Sequence, residues 1–223
     1  MSTPEPALQA DRLYRFYRAG DEETLALQGV SLTLTGGEVV AVAGPSGSGK
    51  STLLGCLAGL DDPSGGSVTV QGRRLSHRPE RERAALRADH IGVLLQQGNL
   101  VRHLTVEGNI HLAQGASIRR DRPASRELLE SVGLWERARS HPRQLSGGEQ
   151  ARAGLAVALA NAPAVLLADE PTGELDGGTE TRVLDLLRSV ADRGTAVLIV
   201  THSQAGAAMA DRVITLQDGR IEP

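Results

Sequence analysis

Gly44-Pro-Ser-Gly-Ser-Gly-Lys-Ser51 sets glycines, a lysine and a hydroxyl at the spacing Gly-x-x-x-x-Gly-Lys-Ser, the pattern of a loop that wraps phosphates. Lys50 is the only lysine among the 24 Lys and Arg residues; every other basic side chain is arginine. A compact ammonium fits between closely wrapped backbone amides where a planar guanidinium does not, and its charge suits the β- and γ-phosphates of a nucleotide. The N–H groups of Gly47 to Ser51 are expected to converge on those phosphates at a helix N-terminus, where unsatisfied donors and the helix dipole both favour anions. Gly44, Gly47 and Gly49 allow close backbone approach. Ser51 offers a hydroxyl to Mg²⁺, and Pro45, Ser46, Ser48 and Thr52 complete the expected nucleotide contacts.

Val165-Leu-Leu-Ala-Asp169-Glu170 ends an aliphatic strand in two carboxylates, at the strand edge where open α/β sheets bind ligands. Asp169 is suited to the Mg²⁺ shell, and Glu170 to polarising a water that attacks the γ-phosphate. Read alone, the pair is equally a strand ending in solvated acids. Thr201-His202 ends the next aliphatic strand, so its imidazole is expected within reach of the γ-phosphate. Gln96 follows a further strand, and its amide oxygen either ligates Mg²⁺ or positions water. Leu145-Ser-Gly-Gly-Glu-Gln150 has two readings. Ser146-x-x-Glu149 is a capping box opening an amphipathic helix, and Ser146, Gly147 and Gly148 at a helix N-terminus form a second anion site. Since the chain already has one phosphate loop, a second site points to a second molecule.

The elements that must hold these groups alternate strand and helix. Leu27 to Leu34 and Glu38 to Ala43 read as strands around Thr35-Gly36-Gly37, the second running into the phosphate loop, and Leu53 to Leu60 continues as a helix until Asp61-Asp62-Pro63. Val68 to Val70 and Ile91 to Leu95 read as strands; Arg78 to Arg87, between them, reads as a solvated helix face. Signals from Leu104 to Ala160 are helical, with a helix from Ala124 to Val132 closed by Gly133. Val165 to Leu167 and Ala196 to Val200 read as central parallel strands separated by a helix from Thr179 to Ala191, and Val213 to Ile221 as a hairpin turning on Asp218-Gly219. The pattern predicts an α/β core with the helical middle third inserted between core strands.

Composition narrows the function class. With 40% hydrophobic residues the chain can bury a core, 2% aromatics place that core on aliphatic side chains, and a net charge of −3 argues against a general nucleic-acid binder. The single Cys56 excludes an internal disulfide framework, fits a reducing compartment and reads as a small buried hydrophobe. The start, Met1 to Pro6, shows no export signal. The uncharged stretch Ala153 to Ala168 is shorter than the roughly 20 residues that span a bilayer. A cytoplasmic protein is expected, with any membrane span supplied by another polypeptide.

The phosphate loop, Gln96, Leu145-Ser-Gly-Gly-Glu-Gln150, the Asp169-Glu170 strand end, Gly173-Glu174-Leu175-Asp176 and His202 occur in an order and spacing that resemble ABC-type ATPase domains. The resemblance covers essentially the whole chain as one domain. It implies a P-loop fold with a mainly parallel central sheet, an N-terminal antiparallel β-subdomain and a helical subdomain of about 97–160. It also implies two subunits packed head to tail around two ATP and Mg²⁺, each ATP lying between Lys50 of one chain and Ser146 to Gly148 of the other. Asp176 resembles the aspartate that contacts the opposing subunit. Tyr17 resembles the aromatic that stacks on adenine, against a plain reading as an exposed loop tyrosine.

Tyr17 to Leu27, Glu149 and Glu170-Pro-Thr-Gly-x-Leu-Asp176 are similar to the ATPases serving FtsX-like permeases of lipoprotein release, macrolide export and peptide resistance. Gly98 stands where relatives usually carry Phe, Gly108 where Glu is common, and Val157 where Arg is usual. The first two fall in the region relatives use to grip the permease. The expectation is an ATP-hydrolysing motor subunit, peripheral on the inner face of the membrane through a permease. The rival is an ATPase regulator that signals through a membrane partner without transport. Soluble ABC ATPases of translation or DNA repair are a more distant match, because they usually join two ATPase units or carry long coiled-coil insertions.

Overall fold

The structure is a computed structural model that describes residues 5–19, 22–119, 121–173 and 175–222. Strands β1 (Leu8–Ala19) and β2 (Glu22–Leu34) precede β3 (Val39–Ala43), which runs through the phosphate loop into α1 (Lys50–Leu57). Then come β4 (Gly65–Val70), β5 (Arg73–Arg74), α2 (Glu80–His90) and β6 (Ile91–Leu94). Helices α3 (Val106–Gly115), α4 (Ser125–Ser131) and α5 (Gly147–Ala158) follow before the chain returns as β7 (Val165–Asp169), α6 (Gly177–Asp192), β8 (Ala196–Val200), α7 (Gln204–Met209), β9 (Arg212–Gln217) and β10 (Arg220–Ile221).

Two sheets result, an antiparallel one in the order β2-β1-β4-β5 and a larger one in the order β10-β9-β3-β8-β7-β6. In the larger sheet every pairing from β9 to β6 is parallel, and only β10 turns back antiparallel. β6 and β7 pair directly, Ile91 opposite Val165 through Leu94 opposite Ala168, with α3, α4 and α5 all lying between them in sequence. The strand pairing thereby closes over the helical segment, and α3 and α5 pack back against the sheet.

Strand alternation explains why the central strands are so aliphatic. Val40, Val42, Val165, Leu167, Ala196 and Leu198 point into a core shared with α1 and the antiparallel sheet, while Val39, Ala41, Leu166, Ala168, Val197 and Ile199 point into a second core shared with α3, α5 and α6. All of β8 is buried, so these strands present an apolar residue to either face. Each fully buried Leu or Val contributes about 1.5–3 kcal/mol. Cys56 is 1% exposed and packs in the first core.

Several boundaries differ from the sequence expectation. The residues of β1 carry no strand reading, because the period of two breaks where a bulge between Ala10 and Leu13 puts Arg12 at φ 45. Charged and aromatic side chains also fill its outer face. β2 begins at Glu22 rather than Leu27, since pairing with β1 extends it. α1 spans Lys50–Leu57 rather than Leu53 to Leu60: it starts on Gly49 and ends where the chain turns at Ala58. The short α7, capped by Ser203, has too little apolar periodicity to be read. Among the described residues no helix is long and apolar enough to cross a membrane.

Candidate functional site

One cleft of about 960 Å³ gathers groups far apart in sequence: Tyr17, Ser46, Gly47, Gly49, Lys50, Ser51, Thr52, Gln96, Asp169, Glu170 and His202. It lies at the C-terminal ends of β3, β6, β7 and β8, because parallel strands deliver their following residues to one edge of the sheet. β3 aims the phosphate loop at this edge, and α1 starts there with Gly49 as its cap at φ 102, a residue with no side chain to cap the helix. A Cβ on Gly49 would stand 2.4 Å from the Ala26 carbonyl oxygen, so only glycine lets the loop pass β2.

Lys50 is 7% exposed, and its Nζ donates to the carbonyls of Gly44 and Pro45, each at 2.8 Å. The ammonium is thus held inside its own loop by neutral acceptors. Ser48 faces inward, 2% exposed, and its carbonyl accepts from the Gly219 amide at 3.0 Å, so the β9–β10 turn braces the loop from behind. Gly44, Pro45 and Ser48 support the loop without lining the cleft.

Ser51 Oγ donates to Asp169 Oδ2 at 3.3 Å. Burial pushes the Asp169 carboxyl above its ordinary value, opposed by the Ser51 hydrogen bond and the Lys50 charge. A half-buried anion of that kind gains from a nearby cation. A carboxylate beside a hydroxyl suits Mg²⁺, which takes one or two protein oxygens and completes its shell with phosphate and water.

Glu170 adopts φ 46, a left-handed backbone that costs a non-glycine residue about 1–3 kcal/mol and occurs at functional sites. Its amide donates to Val200 O at 2.9 Å, its Oε2 accepts from the His202 amide at 3.3 Å, and its Oε1 lies 3.5 Å from His202 Nε2. Oε1 is buried and, among the described residues, has no hydrogen-bond partner. Gln96 is exposed just beyond β6, on a turn fixed by Asn99, whose side chain bonds both the amide and the carbonyl of Leu95. Tyr17 is 40% exposed; its hydroxyl donates to Asp61 Oδ2 at 2.7 Å, and the Arg15 guanidinium lies 4.7 Å from its ring centroid.

Ser146, Gly147, Gly148 and Asp176 do not line this cleft. Ser146 caps α5 in a complete capping box, its Oγ accepting from the Glu149 amide at 3.3 Å and its amide donating to Glu149 Oε2 at 2.8 Å. That backbone hydrogen bond, reinforced by Arg137, holds Glu149 below the ordinary glutamate value. Asp176 caps α6 through the amides of Gly178 and Thr179, and the Thr179 hydroxyl, followed by those amides, keeps its carboxyl low. A Cβ on Gly148 would come 2.3 Å from Thr179 Cγ2, so the start of α5 packs against the first turn of α6. Glu174 lies outside the described residues.

A family model for ABC transporter domains matches residues 27–173, more than half of the chain. The chain belongs to the ABC transporter family. It is an ABC ATPase domain, and its sheet, antiparallel subdomain and helices are those of that fold. The macrolide export ATP-binding/permease protein MacB of Hahella chejuensis is 43% identical over 97% of this chain, which spans 34% of that protein. An ABC transporter ATP-binding protein of Mycobacterium tuberculosis, Rv0986, is 42% identical over 98% of this chain and 90% of its own. Among solved structures, the dimeric bacterial ABC transporter cassette MJ0796 matches with TM-score 0.89 at 36% identity, covering 97% of both chains. The same cassette in a dimeric post-hydrolysis state bound to ADP and Pi matches with TM-score 0.88 at 35% identity.

The three positions expected from the sequence to differ from the family pattern sit in local settings. Gly98 lines a groove between the Gln96 turn and the start of α5, Gly108 donates its amide to the Thr105 cap of α3, and Val157 packs against the second core. Sequence reasoning missed Thr172, Glu180 and Ser203, which line the cleft. Thr172 falls inside the Glu170-Pro-Thr-Gly-x-Leu-Asp176 run without a role read for it, while no spacing signal marks Glu180, beyond Asp176, or Ser203, which merely follows His202.

Proposed function

We propose that this ABC ATPase is the motor subunit for a separate membrane permease, with two copies closing head to tail around two MgATP. One observation carries the reading. The cleft of one chain is lined by the phosphate loop, Asp169, Glu170, Gln96 and His202 but by none of Ser146 to Gly148, of which Gly147 opens onto an adjoining groove. A triphosphate bound at Lys50 therefore lacks the second anion site until another chain supplies it. Lys50 exchanges its two carbonyl acceptors for phosphate oxygens. Tyr17 stacks on adenine; Ser51, Asp169 and Gln96 would hold Mg²⁺, which supplies charge neutralisation on the phosphates. Glu170 accepts the proton of the attacking water, and His202 orients Glu170 and the γ-phosphate side.

The whole chain acts as one ATPase unit, with residues 97–160 as a helical arm facing the permease at the inner face of the membrane. Similarity to MacB, in which ATPase and permease share a chain, and to the dimeric cassettes supports this. Differential affinity of ATP for the closed dimer drives the cycle, and hydrolysis reopens it.

The test is complementation in a Glu170→Gln background. Lys50→Ala removes the ammonium from both sites of a homodimer, and Gly148→Asp blocks both Ser146 to Gly148 corners. A mixture forms heterodimers with one intact composite site, so an ATP-dependent dimer appears on size exclusion in the mixture and in neither variant alone. If the mixture dimerises no more with ATP than the separate variants do, the head-to-tail reading fails.

A further inference from the structure

We propose that Glu180 is a positioning residue for hydrolysis, its carboxylate holding the segment that carries Glu170 and the segment that carries His202 in one register. The inference rests on the assignment of Glu170 and His202 as the hydrolytic pair. Glu180 Oε1 accepts two hydrogen bonds, from Ser203 Oγ at 2.5 Å and from Thr172 Oγ1 at 3.2 Å. Thr172 stands two residues beyond Glu170, and Ser203 is next to His202. The His202 amide donates to Glu170 Oε2 at 3.3 Å. Contacts therefore close a ring that runs from Glu170 through Pro171 and Thr172 to Glu180, then through Ser203 and His202 back to Glu170.

Each link has a physical reason. Glu170 sits in a left-handed backbone conformation, which persists only where its surroundings over-determine it. Its amide is held by Val200 O at 2.9 Å, and the Gly173 amide donates to its carbonyl at 3.2 Å. Thr172 is 4% exposed, so its hydroxyl needs an acceptor, and Glu180 supplies one. Ser203 Oγ accepts from the Gly206 amide at 3.2 Å as the cap of α7, and spends its own proton on Glu180. Glu180 lies on the first turn of α6, whose start is fixed by Asp176 accepting from Gly178 and Thr179, each at 3.1 Å. The carboxylate is thus carried by a rigid element that belongs to neither loop.

The plain alternative is an acid in the first turn of a helix, favoured there by the dipole. That role affects stability alone; a positioning role separates turnover from binding. Steady-state ATP hydrolysis, ATP binding and thermal melting of the purified chain distinguish them. Glu180→Ala lowers kcat by about tenfold to a hundredfold, the size expected when a reacting group is misplaced by up to about 1 Å, with KM for ATP within about twofold of wild type. Glu180→Gln keeps an oxygen that accepts both bonds and holds kcat within about threefold of wild type. The proposal is overturned if Glu180→Ala turns over at the wild-type rate, if its KM rises in step with the loss, or if Glu180→Gln falls as far as Glu180→Ala. If Glu180→Ala does not fold, Thr172→Val removes one of the two bonds, and an unchanged kcat in that variant overturns the proposal equally. Glu170→Gln in parallel separates the two levels. An inactive Glu170→Gln beside a fully active Glu180→Ala removes only the positioning role, whereas a hydrolysing Glu170→Gln removes the assignment beneath it.

Discussion

Lys50 begins a helix reached from a buried strand through the phosphate loop, whereas Ser146 caps a helix in the segment that connects the paired strands β6 and β7. Around Lys50 the neighbours are fixed backbone: carbonyls of Gly44 and Pro45 on its ammonium, the Ala26 carbonyl against Gly49, and the Gly219 amide on Ser48. Around Ser146 they are side chains, with Glu149 closing the cap, Arg137 on Glu149 and Thr179 against Gly148. The phosphate loop is preorganised by the core of its own chain. The Ser146 to Gly148 corner is held by local hydrogen bonds, with Ser146 and Gly147 exposed.

Glycine substitutions put that contrast under the greatest load. Gly49→Ala forces a Cβ against a backbone oxygen at a positive φ, and is expected to cost about 3 kcal/mol. Gly148→Ala meets only a threonine methyl, which a rotation relieves at the expense of the Thr179 hydroxyl bond to Asp176, for about 1 kcal/mol. Thermal melting should therefore show Gly49→Ala falling about 6–12 °C and Gly148→Ala about 2–4 °C; equal losses would erase the distinction.

A smaller effect tests the cap. Glu149→Ala opens the capping box and the Arg137 contact, lowering stability by about 1 kcal/mol at neutral pH. Because the folded carboxyl titrates below its ordinary value of 4.5, the unfolded state binds the proton more readily. The contribution is therefore complete above 4.5 and disappears as pH falls through the lower folded value. Melting curves of Glu149→Ala and wild type should converge in acid; a constant gap contradicts the cap.

The smallest effect runs the other way. Asp169 is raised by burial, so its contribution is favourable below the unfolded value of 3.8 and is lost as pH rises through the folded value. Its ionised form thus costs stability at neutral pH. Asp169→Asn keeps an acceptor for Ser51 and should leave the nucleotide-free melting temperature equal or higher, while abolishing ATP hydrolysis. A destabilised Asp169→Asn would show that the carboxylate serves the fold rather than the site.

Much of this was legible before any coordinates. The aliphatic runs at Val165 to Leu167 and Ala196 to Val200 are strands because a central parallel strand must satisfy two cores at once, as β3 also does. The phosphate loop, the Asp169-Glu170 strand end and His202 fall at one sheet edge because parallel strands share a direction. β1 was illegible because a bulge at Arg12 breaks its alternation and its strand character comes from partners distant in sequence, Leu34 and Val70 opposite Leu8. Glu180 was illegible for a related reason: a glutamate in the first turn of a helix looks the same whether its carboxylate meets water or two hydroxyls.

The sequence by itself determined which groups are available for phosphate chemistry and which segments are apolar enough to carry them, since both follow from residue type and local spacing. Only the tertiary structure decided which of those groups meet. The ring through Glu170, Thr172, Glu180, Ser203 and His202 depends on hydrogen bonds between three separate segments, and such bonds have a range of a few ångströms, whatever the distance along the chain.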